Sequence, residues 1–348
     1  MKILEYKLNA IMAKARAMYG KRLTMQDYVS LYSCRSTSEI VSYLKSRTSY
    51  ADAFENTVTA GIDEGYVEFL IKKLSYNRFA TLCRYEMSFG EQLHNYFIVK
   101  EEINQILSCI KSILLKNTDK YVMSVPAFYT KSFSLDAYDL MNIKSIPELI
   151  DSLEGTAYQT LIKKCYESSA GYVEYECELI NYFYEFEYKL ISEKKSKPKG
   201  ELFDLLSTKA DTQFIDKLYR TKKYFSSSSE QIIRSLTPTH LTGLTQKQIK
   251  MLLNAADEKE LLAILKNTKY KNYALKIEKS DYAEQAINEE NYKLYKHLLR
   301  FSTDPNVTMF CFMFLENIEV SNMIHIIEGV KYKMSPDEIR SLLIGVGD

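Results

Sequence analysis

Two short markers recur three times along this chain of 348 residues, the copies lying about 110 residues apart. The first marker is a capping residue, a Glu, an apolar pair, a Leu and then Thr-x-Tyr. It reads Ser36, Glu39, Ile40, Val41, Leu44, Thr48, Tyr50 in the first copy and Ser145, Glu148, Leu149, Ile150, Leu153, Thr156, Tyr158 in the second. In the third it reads Asp257, Glu260, Leu261, Leu262, Leu265, Thr268, Tyr270. The second marker follows roughly 50 residues later in every copy. It runs Glu102-Ile103-Asn104-Gln105-Ile106, then Asp211-Thr212-Gln213-Phe214-Ile215, then Glu319-Val320-Ser321-Asn322-Met323. One such match arises easily by chance. Two markers holding nearly constant separation through three copies do not, and they predict a triplicated module over 1–125, 126–236 and 237–348.

The module is helical. Only 11 Gly and 6 Pro occur in the chain, too few for a sheet built on tight turns. Leu4, Leu8, Ile11, Ala15 and Met18 repeat at helical spacing and stop at Gly20, a C-terminal cap. Thr24 with Asp27, and Ser36 with Glu39, have the form of capping pairs. Glu91 to Leu115 contains neither Gly nor Pro and carries an apolar stripe at Leu93, Phe97, Ile103, Ile106, Leu107, Ile110 and Leu114. Similar stretches cover Tyr172–Ile191, Leu202–Phe225, Leu244–Leu253, Glu258–Leu265, Tyr282–Phe301 and Val307–Gly329. No period-2 run is convincing, so the expected fold class is all-α. The Lys-rich stretch from Glu193 to Gly200 and the serines Ser226 to Ser229 read as exposed loops. For the lysines, solvated surface is the plain reading, and contact with lipid headgroups or an acidic partner is the alternative.

Composition narrows the function. Lys plus Arg (46) and Asp plus Glu (45) nearly cancel, which excludes the basic excess of a dedicated nucleic-acid binder. None of the six cysteines sits in a C-x-x-C pair, so buried free thiols are expected. The start lacks the apolar core of a secretory signal, and the apolar run Met309 to Leu315 is far short of the ~20 residues of a spanning helix. The expectation is a chain that does not cross a membrane.

Catalytic patterns are missing. Gly61 to Gly65 lacks the Gly-Lys-Ser/Thr of a phosphate-binding loop, and no G-x-S-x-G, H-E-x-x-H or EF-hand pattern occurs. The four histidines, His94, His240, His297 and His325, are far apart, and none has a second histidine at metal-binding spacing. Glu39, Glu148 and Glu260 fall at helix starts, where capping accounts for them better than acid–base chemistry. No catalytic residue, cofactor or metal is expected. Tyrosine, at 28, is abundant while tryptophan is absent. Packing with the ring buried and the hydroxyl wet is the plain reading, and interface anchors are the alternative.

The C-terminal stretch from Glu319 to Gly329, then Lys331-Tyr332, then Ser335 to Leu343, resembles the closing motif of the central-stalk subunit of V-type and A-type ATPases, named C in bacteria and archaea and d in eukaryotes. Ala13 to Met18, Leu23-Thr24, Asp27-Tyr28 and Leu44 through Tyr50 resemble its opening. Length and threefold repeat agree, although the second copy has Asp211-Thr212 and carries Pro147 in its capping segment. The resemblance implies three similar helical domains around a pseudo-threefold axis, forming a funnel. It also implies a non-catalytic rotor part, peripheral to the membrane on its cytoplasmic side. The expected partners are the central-shaft subunits of the soluble ATPase sector and the membrane proteolipid ring, with no nucleic acid and no small-molecule substrate. Such a part links ATP hydrolysis or synthesis to H⁺ or Na⁺ transport. The alternatives are an all-α scaffold or adaptor, and an all-α enzyme with scattered site residues. Lys14, Arg16, Lys21 and Arg22, with Arg340, are candidate partner-interface cations. Their plain reading is that the first four complement the C-terminus of the first helix.

Overall fold

A computed structural model describes residues 2–85, 90–116, 133–136, 139–192, 200–224 and 240–346. These residues form fifteen α-helices and two 3₁₀ turns, with no strand among the described residues. The loops expected at Glu193 to Lys199 and Ser226 to Ser229, and Phe225 at the end of an expected helix, lie outside them. By Cα proximity the chain divides into two compact units, Met1–Glu91 with Glu284–Asp348, and Gln92–Ala283.

The first unit joins the two ends of the chain. It contains α1 (Lys2–Tyr19), α2 (Met25–Tyr32), α3 (Thr37–Arg47), a 3₁₀ turn (Ala51–Phe54) and α4 (Glu64–Tyr85). Its other three helices in chain order are α13 (Ala283–Phe301), α14 (Pro305–Lys331) and α15 (Pro336–Leu342). Thr24 and Asp27 form the expected capping box on α2, and Gly20 follows α1 with its N–H on the Arg16 carbonyl at 2.9 Å. Helix α14 organises the unit, packing against α1, α2, α3, α4 and α15. Every residue from Val307 to Glu316 is buried, so this helix has no solvent face there.

That burial accounts for the one helix of membrane-spanning length and apolarity among the described residues. Helix α14 is long and apolar enough to cross a bilayer, with a mean hydropathy of 1.3 over its most apolar window. Yet 72% of that window is buried inside the protein. It is the core helix of its unit, longer than the uninterrupted run Met309 to Leu315 suggests. Its C-terminal end is tightly packed: a Cβ on Gly329 would lie 2.5 Å from Ile339 Cγ1 of α15.

The second unit holds α5 (Gly90–Leu114), α6 (Ile146–Ser152), α7 (Ala157–Glu167), α8 (Tyr172–Ser192) and α9 (Glu201–Tyr224). It continues with α10 (Gln246–Asn254), α11 (Glu258–Leu265) and α12 (Lys271–Ile277), and a 3₁₀ turn at Asp139–Met141 precedes α6. Its core includes an ion pair between Lys209 and the fully buried Glu187 at 3.0 Å. The Lys209 ammonium also lies 5.2 Å from the Phe183 ring centre and 5.6 Å from that of Tyr96. Four of the six cysteines, Cys109, Cys165, Cys177 and Cys311, are buried, while Cys34 and Cys83 are half-buried.

Candidate functional site: three carboxylate–tyrosine locks and a basic rim

The two sequence markers meet in space. Each Tyr that ends a first marker donates its hydroxyl to the acid that opens a second marker, one copy earlier in cyclic order. Tyr158 donates to Glu102 Oε2 at 2.6 Å, and Tyr270 donates to Asp211 Oδ2. The third bond closes the cycle, with Tyr50 of the first copy donating to Glu319 Oε1 of the third at 2.8 Å. A backbone N–H completes each lock: Leu23 on Glu319 at 3.0 Å, Gly243 on Asp211 at 2.8 Å, and Ser134 on Glu102. In each case this donor comes from a loop of the tyrosine's own copy.

Local structure explains how each tyrosine is aimed. The capping residue and Glu start the preceding helix as expected. Glu39 N–H donates to Ser36, Glu148 N–H to Ser145 and Glu260 N–H to Asp257. The glutamates then accept the N–H groups of Arg35, Lys144 and Ala256 at 2.7, 2.9 and 2.6 Å. They cap helices, and sequence placed them there correctly. At the other end, Thr48 and Thr268 donate to the carbonyls of Leu44 and Leu265 and accept the Tyr50 and Tyr270 N–H groups at 3.1 Å. This turn fixes the tyrosine backbone relative to its helix. In the second copy Thr156 also bonds the Leu153 carbonyl, but it starts α7 directly.

Burial makes these bonds consequential. Glu102, Asp211 and Glu319 are 2%, 0% and 6% exposed. A buried carboxylate is tolerated only when hydrogen bonds or opposite charge replace its lost water. The reading of tyrosine as ring buried and hydroxyl wet is therefore corrected for Tyr50, Tyr158 and Tyr270. Their hydroxyls are inside, because the carboxylate needs them there.

The third lock has extra parts. Arg78 of α4 pairs with Glu316 of α14 at 2.7 Å and donates to the Ser49 hydroxyl and carbonyl at 2.8 and 3.1 Å. Its guanidinium also lies 4.8 Å from the centre of the Tyr50 ring. Burial, reinforced by neighbouring Glu316, pushes the Glu319 carboxyl up to about 7. The Tyr50 hydroxyl, Arg78 and the Leu23 N–H oppose that rise. Burial raises Asp211 as well, against donors from Thr242, Tyr270 and Gly243. It also raises the phenols of Tyr50, Tyr158 and Tyr270. The phenols therefore keep their protons and donate to the ionised carboxylates.

The candidate interface cations are placed unevenly. Arg16 donates to the carbonyls of Leu299 and Ser302 at 2.8 and 2.7 Å, so it ties α1 to the end of α13. It does complement a helix C-terminus, but that of α13. Arg22 is half-buried, its guanidinium 4.2 Å from the centre of the Tyr19 ring. Lys14, Lys21 and Arg340 are exposed. Lys14 and Lys21 flank the end of α1, whereas Arg340 sits on α15, which packs on α2 and α14. Among the described residues no group of three His, Cys, Asp or Glu side chains could hold a metal. His240 is exposed beside Glu185 at 2.9 Å, and His325 is half-buried within α14.

Sequence reasoning missed the locks. It found both markers and treated the first as a cap and the second as an unassigned repeat. The signal was available: at Glu102, Asp211 and Glu319 the residue is acidic in all three copies while its neighbours vary.

Comparison with known proteins matches residues 11–342 to the ATP synthase (C/AC39) subunit family. The chain belongs to that family. This C/AC39 family is a stalk component without a catalytic role. The C subunit of the A-type ATP synthase of Methanocaldococcus jannaschii is 23% identical over 351 residues, covering 96% of this chain and 85% of the relative. The corresponding A-type protein of Pyrococcus furiosus is 19% identical over 341 residues, covering 95% and 88%. The family match thus takes in all three locks and the two exposed cations Lys14 and Lys21 as well as Arg340.

Proposed function

We propose that this C/AC39-family chain is a rotor component of an A/V-type ATPase, joining the central shaft of the soluble sector to the membrane proteolipid ring. In this reading it passes torque between ATP hydrolysis or synthesis and the movement of H⁺ or Na⁺, sitting peripherally on the cytoplasmic side. Its three modules, 1–125, 126–236 and 237–348, are arranged about a pseudo-threefold axis as a funnel. The single observation that carries the proposal is the cyclic order of the locks. Each copy's acid holds the next copy's tyrosine, and the last copy returns to the first. A torque coupler must resist shear between its modules, and buried charge-assisted bonds supported by close-packed long helices supply that stiffness.

The interface reading rests on the exposed cations Lys14, Lys21 and Arg340, which can meet acidic side chains of the shaft. Arg16 is withdrawn from it, being engaged with α13. The test is affinity capture of the tagged full-length chain from membranes of its host. Shaft and ring subunits of an A/V-type ATPase are expected in the eluate, and a Lys21→Glu, Arg340→Glu double variant is expected to lose the shaft at moderate salt while staying folded. Capture of none of these subunits sinks the proposal.

A further inference from the structure

A polar cavity of about 260 Å³ opens in the first unit between the end of α1, the start of α2 and helices α13 and α14. The groups that line it are mostly donors. Two half-buried cations face it, Arg22 and Lys296, and neither forms an ion pair among the described residues. Each is held over an aromatic ring of the same wall, Arg22 over Tyr19 at 4.2 Å and Lys296 over Tyr292 at 5.5 Å. The Tyr19 hydroxyl, in a residue only 8% exposed, has no hydrogen-bond partner other than the neighbouring Tyr292 of the same wall. Tyr28, also 8% exposed, accepts from Asn322 at 3.4 Å, which leaves its own proton available.

Each acid in the wall already has a partner of its own. Glu316 holds Arg78, and the two oxygens of Glu319 take Tyr50 and the Leu23 N–H. The Asn322 amide is fixed to the backbone of Ile344 on both sides, its Nδ2 donating at 2.9 Å and its Oδ1 accepting at 2.9 Å. A buried donor without an acceptor is costly. Two cations without an ion pair, beside the phenols of Tyr19 and Tyr28 around one polar space, call for a compact acceptor with negative charge.

We propose that this cavity binds a small oxyanion of the phosphate or carboxylate class, held by Arg22 and Lys296 with Tyr19 and Tyr28 donating from the wall. A guanidinium beside phenolic donors suits the geometry of either anion. The site does not depend on the stalk reading, since all its groups lie within one unit of the folded chain.

Equilibrium dialysis of the full-length protein against labelled inorganic phosphate, and separately labelled succinate, at constant ionic strength tests it. One saturable site per chain is expected for at least one of the two, and which one binds identifies the anion class. Lys296→Gln and Arg22→Gln should each weaken it by about tenfold, and Tyr19→Phe by several-fold. Lys259→Gln, at an exposed lysine of α11, should change nothing. Lys296 is half-buried on α13 and takes no part in the locks, so its variant keeps the test valid if the Arg22 variant folds poorly. Absence of saturable binding of both anions at millimolar concentration overturns the proposal. So does binding that Lys296→Gln leaves unchanged, or that Lys259→Gln weakens equally.

Discussion

Glu319 is where residue chemistry has its largest leverage on this protein. Its carboxyl has an ordinary value of 4.5 when exposed and is pushed up to about 7 in the fold, chiefly by burial and secondarily by Glu316. Between those values the native state keeps a proton that the unfolded state has released. Native binding of more protons means that stability falls as pH rises through this window, and levels off above about 7. At one pKa unit per ~1.4 kcal/mol, the loss is at most about 3–4 kcal/mol. Glu319→Gln removes the titration and adds a pH-independent offset, because its amide nitrogen cannot accept the Leu23 N–H. Urea unfolding of both proteins at pH 5 and pH 7.5 should therefore show the wild type losing ground relative to the variant at the higher pH. Parallel stabilities at the two values would mean that Arg78 and the hydrogen bonds fully neutralise the effect of burial.

At the scale of elements, much of the fold was legible in sequence. Helix α11 runs from Glu258 to Leu265, matching the expected bounds, and α5, α8, α9, α13 and α14 lie within a few residues of theirs. Capping chemistry and apolar spacing are local, so a sequence displays them directly. The locks were less legible, because each joins residues about 50 to 270 positions apart and hydrogen bonding across such distance leaves no periodic trace. Arg16 is the same case: its partners Leu299 and Ser302 belong to the far end of the chain. Packing of α15 on α14 was also hidden, and it depends on Gly329. A methyl there would meet Ile339 Cγ1 at 2.5 Å and Cδ1 at 2.9 Å. Gly329→Ala gains helix propensity of ~1 kcal/mol but overpacks the contact, so the net expectation is a destabilisation of about 1–2 kcal/mol. Adding Ile339→Val trims Cδ1 and should recover part of it, giving a favourable coupling in a double-mutant cycle by thermal unfolding.

For the whole molecule, the cyclic order of the locks means that cooperative structure does not follow the chain. The N-terminal stretch through Glu91 and the C-terminal stretch from Glu284 form one compact unit, and Tyr50–Glu319 is one of the buried bonds that cross between them. Tyr50→Phe keeps the ring and removes only the hydroxyl, leaving Glu319 with a single donor at a cost of about 1–3 kcal/mol. Local opening free energies report such losses element by element. Hydrogen exchange on Tyr50→Phe should therefore quicken in 2–85 and in 284–346 together, since α14 packs against α1, α2, α3 and α4. The unit Gln92–Ala283 should keep its wild-type rates, because its own locks at Tyr158 and Tyr270 are untouched. Tyr158→Phe should give the converse pattern. If Tyr50→Phe loosens only 2–85 while α14 stays fully protected, then α14 is held by its apolar packing alone. The third lock would then contribute alignment of the first copy rather than closure of the chain.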